Sequence, residues 1–457
     1  MNRPPSSRPV PRLFVSVVQP VQEFFRLEAA SGIVLLACAV GALVWANLGA
    51  ESYQAALAYP LRLGAGAFAA EFTVHELVND GLMTIFFFVV GMEIKHELAA
   101  GELRTRGQAL LPLVAALGGM VFPALIYVAF NAGGPGSAGW GIPVATDIAF
   151  CIGVLTLLRS RVPHALVVFL TALAIFDDIG GILVIALFYG SGIHVAWLLG
   201  AGAVVLALAA MSRAHVRHWA AYLAAGLALW LAFHEGGIHA TIAGVVLGLA
   251  VPARARHRPG DVLAALREHL AQLDRGRQSR EEELAVDELL YLDERITELQ
   301  APLDRFVDRL HPWVAFGVMP IFALANAGVT LGAAGPSAWL GPVAVGTAVG
   351  LLVGKAIGIF VFTLAAVRLG LARIPGDAGA PKLLGVSAVG GIGFTVALFI
   401  ASLAFPDAPA LLDEAKIGVL AGSLAAGIAG AAILLRTRRV RASSATTAPV
   451  VRPATPG

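Results

Sequence analysis

Four ionisable residues stand inside segments otherwise built of apolar side chains. They are Asp147 in GIPVATDIAFCIGVLTLL, the adjacent Asp177 and Asp178 in LTALAIFDDIGGILVIALF, and Lys355 in LLVGKAIGIF. A charged side chain at the centre of a bilayer costs roughly 2.5–3.5 kcal/mol on insertion scales, so each needs a use or a partner. Neighbours on one helix project about 100° apart, so one aspartate can face a water-filled cavity while the other faces a counter-ion. Lys355 is the natural counter-ion, because a buried ammonium is costly until a carboxylate compensates it. A purely structural ion-pair network is one reading of the four. Three acids against one base leave surplus negative charge, however, and surplus carboxylates in a low-dielectric site hold protons or hold a cation.

Burial favours the protonated acid, and an arriving cation favours the ionised one. A carboxylate that holds either a proton or a sodium ion, but not both well, is an exchange site. Oxygen-only ligands select hard cations such as Na+ or Li+. Asp147 has a second candidate role: in a break between half-helices it compensates the positive ends of two helix dipoles, as Lys355 compensates the negative ends.

These residues need a membrane scaffold, and the composition supplies one. The chain has 457 residues, 58% of them hydrophobic and 14% charged, with a mean hydropathy of +0.79. A soluble domain carries about 25% charged residues. The expected fold is therefore all-α and polytopic, with about twelve transmembrane helices. The spans fall near 31–49, 76–98, 109–130, 141–158, 163–189, 194–211, 218–234, 237–252, 312–331, 342–367, 383–404 and 411–435. Charge placement tests the count. Of 32 Lys and Arg, Arg62 and Lys416 fall on one side, Lys355 lies within a span, and the rest lie on the other side. The positive-inside bias then puts both termini in the cytoplasm. Cys38 and Cys151 both sit in apolar segments, so neither a disulfide framework nor a cysteine metal site is implied. The N-terminus lacks the h-region and cleavage site of a signal peptide.

Two spans are interrupted. The fourth carries Pro143 and Asp147, and the eleventh carries Gly390, Gly391 and Gly393 at its middle. Spans 3–5 and 10–12 are thus triplets with the interrupted helix second, and they start on opposite sides of the membrane. That is the signature of inverted repeats with a transport site at the breaks. Ordinary glycine packing is the simpler account of span 11 taken alone. It is also the simpler account of the ridge Gly346, Gly350, Gly354 and Gly358 beside Lys355.

Seven stretches, read together, resemble NhaA-type bacterial sodium/proton antiporters. They are NDGLMTIFFFVVGMEIKHEL (79–98), VATDIAF (144–150), TALAIFDDIGGILVIALFY (171–189), GIHATIAG (237–244), LHPWVAFGVMPIFALANAGV (310–329), GKAIGI (354–359) and GGIGFTVALFIASLAF (390–405). The resemblance runs in order over about residues 25–435. It implies that Asp178 is the principal Na+ ligand, helped by Asp177 and Thr146. Asp177 and Asp178 would carry the exchanged protons, Lys355 would pair with Asp177 when the cation is absent, and Asp147 would sit where the broken helices cross. It further implies electrogenic export of Na+ or Li+ against inward H+ across a bacterial inner membrane, regulation by pH, and no cofactor. The expected partners are the two ions, the lipid bilayer and a second copy of the chain, with no nucleic acid.

There are departures near the family's pH-sensing funnel. Its Glu-x-Lys-Arg reads Glu93-Ile94-Lys95-His96 here, and Val307, Asp308 and Arg309 precede Leu310 and His311. Glu93, His96, Asp308, His311 and His239 are the candidate pH-gating residues, with a structural role the simpler reading of His239.

The chain divides into a cytoplasmic segment (1–25), spans 1–8 (26–252), a charged helical insertion (253–311), spans 9–12 (312–436) and a low-complexity tail (437–457). The insertion holds 10 of the 32 basic and 13 of the 30 acidic residues. Ala285, Leu289, Leu292, Ile296, Leu299, Leu303, Phe306 and Leu310 form a heptad pattern there, and Pro302 is expected to kink or restart the helix. A helix on the protein's own cytoplasmic face is the first reading, and a dimer coiled coil or regulatory cap the second. Residues 55–72 suit a β-hairpin, which relatives use to dimerise. Rival functions are a sodium-coupled symporter of an organic anion on a similar fold and a passive cation channel. No nucleotide-binding or other catalytic motif is present, which argues against an enzyme or an ATP-driven pump.

Overall fold

In a bilayer every backbone amide must be satisfied within its own segment, so long apolar runs become helices. The computed structural model describes residues 19–63, 70–104, 106–190, 192–214, 216, 219–253, 259–276, 301–330 and 339–439. Helix α1 (Gln19–Leu48) begins inside the stretch expected to precede the membrane. A short α2 (Ala50–Leu57) follows, so the start of the 55–72 stretch is helical. Beyond it, β1 (Pro60–Leu63) and β2 (Ala70–Thr73) pair antiparallel, with Pro60 opposite Thr73 and Leu63 opposite Ala70. The hairpin is therefore present, and its turn lies outside the described residues.

Next come α3 (Val74–Ala99) and α4 (Arg106–Asn131). Then follow a 3-10 helix (Pro135–Val144), α5 (Ile148–Leu157) and α6 (His164–Phe188). At 1.5 Å per residue α6 is about 37 Å long, enough to cross a hydrocarbon core of ~30 Å. The middle of the chain holds α7 (Val195–Arg213), α8 (Trp219–Gly236), α9 (Ile242–Ala250) and α10 (Pro259–Gly276). The remainder is α11 (Pro302–Trp313), α12 (Met319–Asn326), α13 (Pro342–Arg368), α14 (Ala380–Val389), α15 (Phe394–Ala404) and α16 (Pro409–Arg436).

The expected spans overlap helical segments, though fewer than twelve of these have the length of a membrane crossing. Among the described residues, seven continuous helices are long and apolar enough to cross a membrane, or nine if each bent pair is one span. The bent pairs are the two interrupted spans. The 3-10 helix turns 46° into α5, and α14 turns 46° into α15. The first half of span 4 is 3-10 because PGSAGWGIPV is too rich in glycine and proline to hold an α-helix.

Three spans also carry π-helical segments, Leu77–Leu82, Val314–Val318 and Gly350–Lys355. Such bulges in α-helices often accompany function. The last of them ends on Lys355. The glycine ridge of α13 does pack helices: a Cβ at Gly354 would lie 2.7 Å from Cα of Pro123 on α4.

Basic residues tie the ends of helices together on one face. Lys95 Nζ donates to the carbonyls of Leu249 (2.7 Å) and Val251 (2.5 Å) at the C-terminus of α9. Arg161 donates to the carbonyls of Leu435 and Thr437 at the end of α16. Cations suit these sites because the last carbonyls of a helix lack intrahelical partners. On the opposite face the Tyr53 hydroxyl donates to the carbonyls of Leu324 (2.9 Å) and Ala325 (2.8 Å). Burial pushes the Tyr53 phenol up to about 12, so it stays a donor.

Pro302 restarts the chain as the first residue of α11. The heptad positions from Ala285 to Leu299 lie outside the described residues. Of the rest, Leu303 is fully buried, and the Phe306 ring meets Phe88 and Tyr222, each at 6.5 Å between centroids. This part of the apolar stripe packs on α3 and α8 of the same chain.

Candidate functional site

The two breaks cross. Backbone N–H of Asp147 donates to the Ile392 carbonyl at 2.7 Å, and a Cβ at Gly393 would sit 2.9 Å from the Ala145 carbonyl oxygen. Only glycine permits that approach. Asp147 is the N-cap of α5, its Oδ1 accepting from Phe150 N at 3.1 Å. Its Oδ2 accepts from Thr395 N (3.2 Å) and Thr395 Oγ1 (2.5 Å) at the start of α15. One carboxylate therefore serves the positive ends of two half-helices, as its place in the sequence suggests.

Asp177 and Lys355 meet beside this crossing. Lys355 Nζ lies 2.5 Å from Asp177 Oδ2, and neither side chain is exposed. The Thr146 hydroxyl is the third member. It accepts from Lys355, and its own proton has two acceptors in reach, Asp177 Oδ2 at 2.6 Å and the Gly390 carbonyl at 3.0 Å. The ammonium thus reaches the break in span 11 through Thr146 and contacts Asp177 directly. Asp177 Oδ1 is buried and has no hydrogen-bond partner among the described residues.

Asp178 points elsewhere. It lines a cavity of about 780 Å3 that also touches Thr146, Asp147 and Thr395. From there the cavity runs to the face carrying the basic loops, where Glu93, His96, Asp308 and His311 line it. The pair splits as the 100° projection requires, one aspartate on the cavity and one on lysine. At the mouth, His96 Nδ1 lies 2.9 Å from Asp304 Oδ1, both half-exposed, which joins α3 to α11. Asp304 is absent from the candidates read in the sequence. Its signal was there: Asp304, Asp308 and His311 are spaced four and three apart, one face of α11.

His239 is not with them. Its ring packs on Phe399 at 5.3 Å between centroids, and its Nε2 lies 3.8 Å from Asp80 Oδ1, beyond hydrogen-bond range. Neither residue lines the Asp178 cavity.

Chemically the floor of the cavity offers carboxylate and hydroxyl oxygens from Asp178, Thr146 and, once released by Lys355, Asp177. That donor set suits a hard monovalent cation arriving from the cavity, with protons as its competitors.

Comparison with known proteins points the same way. Residues 22–434 match the family model described as Na+/H+ antiporter 1. A protein named Na(+)/H(+) antiporter NhaA from Anaeromyxobacter sp. (strain Fw109-5) is 62% identical over 442 residues, 96% of each chain. One named Na(+)/H(+) antiporter NhaA 1 from Myxococcus xanthus (strain DK1622) is 56% identical, over 94% of this chain and 97% of its own. A solved structure of the sodium proton antiporter MjNhaP1 from Methanocaldococcus jannaschii aligns with TM-score 0.49 and 13% identity. It covers 92% of this chain and 99% of its own, a likeness too distant to bear on the site.

Proposed function

The chain belongs to the Na+/H+ antiporter 1 family, and on that premise we propose that it exchanges Na+ or Li+ for H+ at Asp178 and Asp177. The observation that carries this assignment is the division of labour between the two aspartates: Asp178 lines the cavity, and Asp177 sits on Lys355. An incoming cation takes the carboxylate of Asp178 in place of a proton. It then draws Asp177 and the Thr146 hydroxyl off Lys355. Two ionisable carboxylates serve one monovalent cation. When the Asp177–Lys355 pair opens it gives up a second proton beside that of Asp178, so two H+ move inward for each Na+ moved outward.

The crossing half-helices, set at 46° to one another across each break, supply the element that alternates between the two faces. The protein sits in the bacterial inner membrane with both termini cytoplasmic, by the positive-inside bias, and the cavity then faces the cytoplasm. The mouth cluster of Glu93, His96, Asp304, Asp308 and His311 carries pH regulation, since the His96–Asp304 contact is an ion pair only while the imidazole is protonated. The β1–β2 hairpin serves a homodimer.

Dequenching of a pH-gradient dye in everted vesicles tests the assignment, with Na+, Li+ and K+ added separately. Na+ and Li+ should respond and K+ almost not at all. Asp178→Asn should abolish the response, and normal exchange by that variant overturns the ligand role. A sodium-coupled symporter would show no Na+/H+ exchange in vesicles lacking an organic anion.

A further inference from the structure

Half-helix α15 opens with backbone N–H groups that its own sequence cannot cap, because the N-cap is Gly393 and has no side chain. Two other helices supply the acceptors. Asp147 takes the N–H of Thr395. The hydroxyl oxygen of Ser423 on α16 takes the N–H of Gly393 at 3.3 Å and of Phe394 at 3.2 Å. Ser423 is buried, and so are both residues it serves.

Its place is not arbitrary. Where α4 crosses α13, a Cβ at Gly118 would meet the Gly358 carbonyl and Phe362, and a Cβ at Gly358 would meet the Gly118 carbonyl and Phe122. These reciprocal contacts relate the two helix triplets. Asp177 follows Asp147, the cap of α5, by thirty residues, and Ser423 follows Gly393, the cap of α15, by the same interval. Ser423 therefore stands against the second break as Asp177 stands against the first. One repeat carries a carboxylate there, which takes Lys355. The other carries a neutral oxygen that takes two amides.

We propose that Ser423 is a positioning residue for cation exchange: by satisfying the first amides of α15, it lets the Asp147 carboxylate remain on Thr395 and Phe150. That anchors the Thr146–Asp147 segment against Asp177. Without the Ser423 oxygen, two buried N–H groups lose their acceptor, a costly state that the nearest carboxylate is drawn to relieve. Asp147 is that carboxylate, one residue along at Thr395. Its movement carries Thr146, and with it the hydroxyl that bridges Lys355 and Asp177.

The proposal rests on the assignment of exchange to Asp177 and Asp178, and the experiment separates the two. Na+ and Li+ titrations in everted vesicles should give a Ser423→Ala variant an apparent KM raised about tenfold, with most of the maximal rate kept. Ser423→Thr, which restores the oxygen, should return KM toward that of the unmodified protein. An unaltered KM in folded Ser423→Ala overturns the proposal. So does a Ser423→Thr protein that melts normally yet keeps the raised KM. Failure of the unmodified protein to exchange Na+ for H+ overturns the underlying assignment instead.

Discussion

Lys355 Nζ and Asp177 Oδ2 are 2.5 Å apart in a place where neither side chain has any exposed surface. Among the described residues the side chains of this pair hydrogen-bond only to each other and to Thr146, so each is the other's counter-charge. Removing one is worse than removing both. Lys355→Ala should destabilise the folded protein by roughly 3–5 kcal/mol, because it strands a buried carboxylate. Adding Asp177→Asn should recover a good part of that loss. Thermal melting of the single and double variants in detergent gives the coupling, and a strictly additive result would sink the pairing.

Asp178 lines the cavity and, among the described residues, makes no side-chain hydrogen bond to another helix. Asp178→Asn should therefore melt within about 1 kcal/mol of the parent while losing exchange entirely. The second readout is ligand stabilisation. Added Na+ should raise the melting temperature of the parent and leave that of Asp178→Asn unmoved.

The contact between His96 and Asp304 spans 208 positions of sequence and lies half-exposed at the cavity mouth. An exposed pair of this kind contributes no more than about 1 kcal/mol. His96→Gln should leave stability and maximal exchange nearly unchanged, and should flatten the dependence of exchange on pH. Vesicle assays over a pH series check this, and a superimposable profile argues against a regulatory role for the pair.

At the crossing of α4 and α13, Gly118→Ala would drive its methyl into the Gly358 carbonyl, which is backbone and cannot swing away. A cost of about 1–3 kcal/mol is expected. Gly200→Ala, on an exposed face of α7 with nothing within 4 Å of the new methyl, should be neutral or gain roughly 0.5–1 kcal/mol. Melting temperatures that fail to separate the two variants would contradict the packing described.

Much of this protein is legible along the chain. Apolar runs announce the helices, Pro143 and the Gly390–Gly393 stretch announce the two breaks, and acids inside such runs announce the candidate site. These are local properties: hydropathy, backbone permissiveness and the price of a charge in lipid are each set by residues near one another in sequence. Even the split between Asp177 and Asp178 follows from helical pitch alone.

The rest depends on packing between distant segments, which no local pattern encodes. Only the folded chain puts His239 against Phe399 and away from the Asp178 cavity. It also brings Asp304 to His96 and sets Ser423 on the amides of the broken span. A serine in a glycine-rich apolar helix looks like filler. It becomes a cap because the neighbouring half-helix begins at a glycine and has buried donors to satisfy.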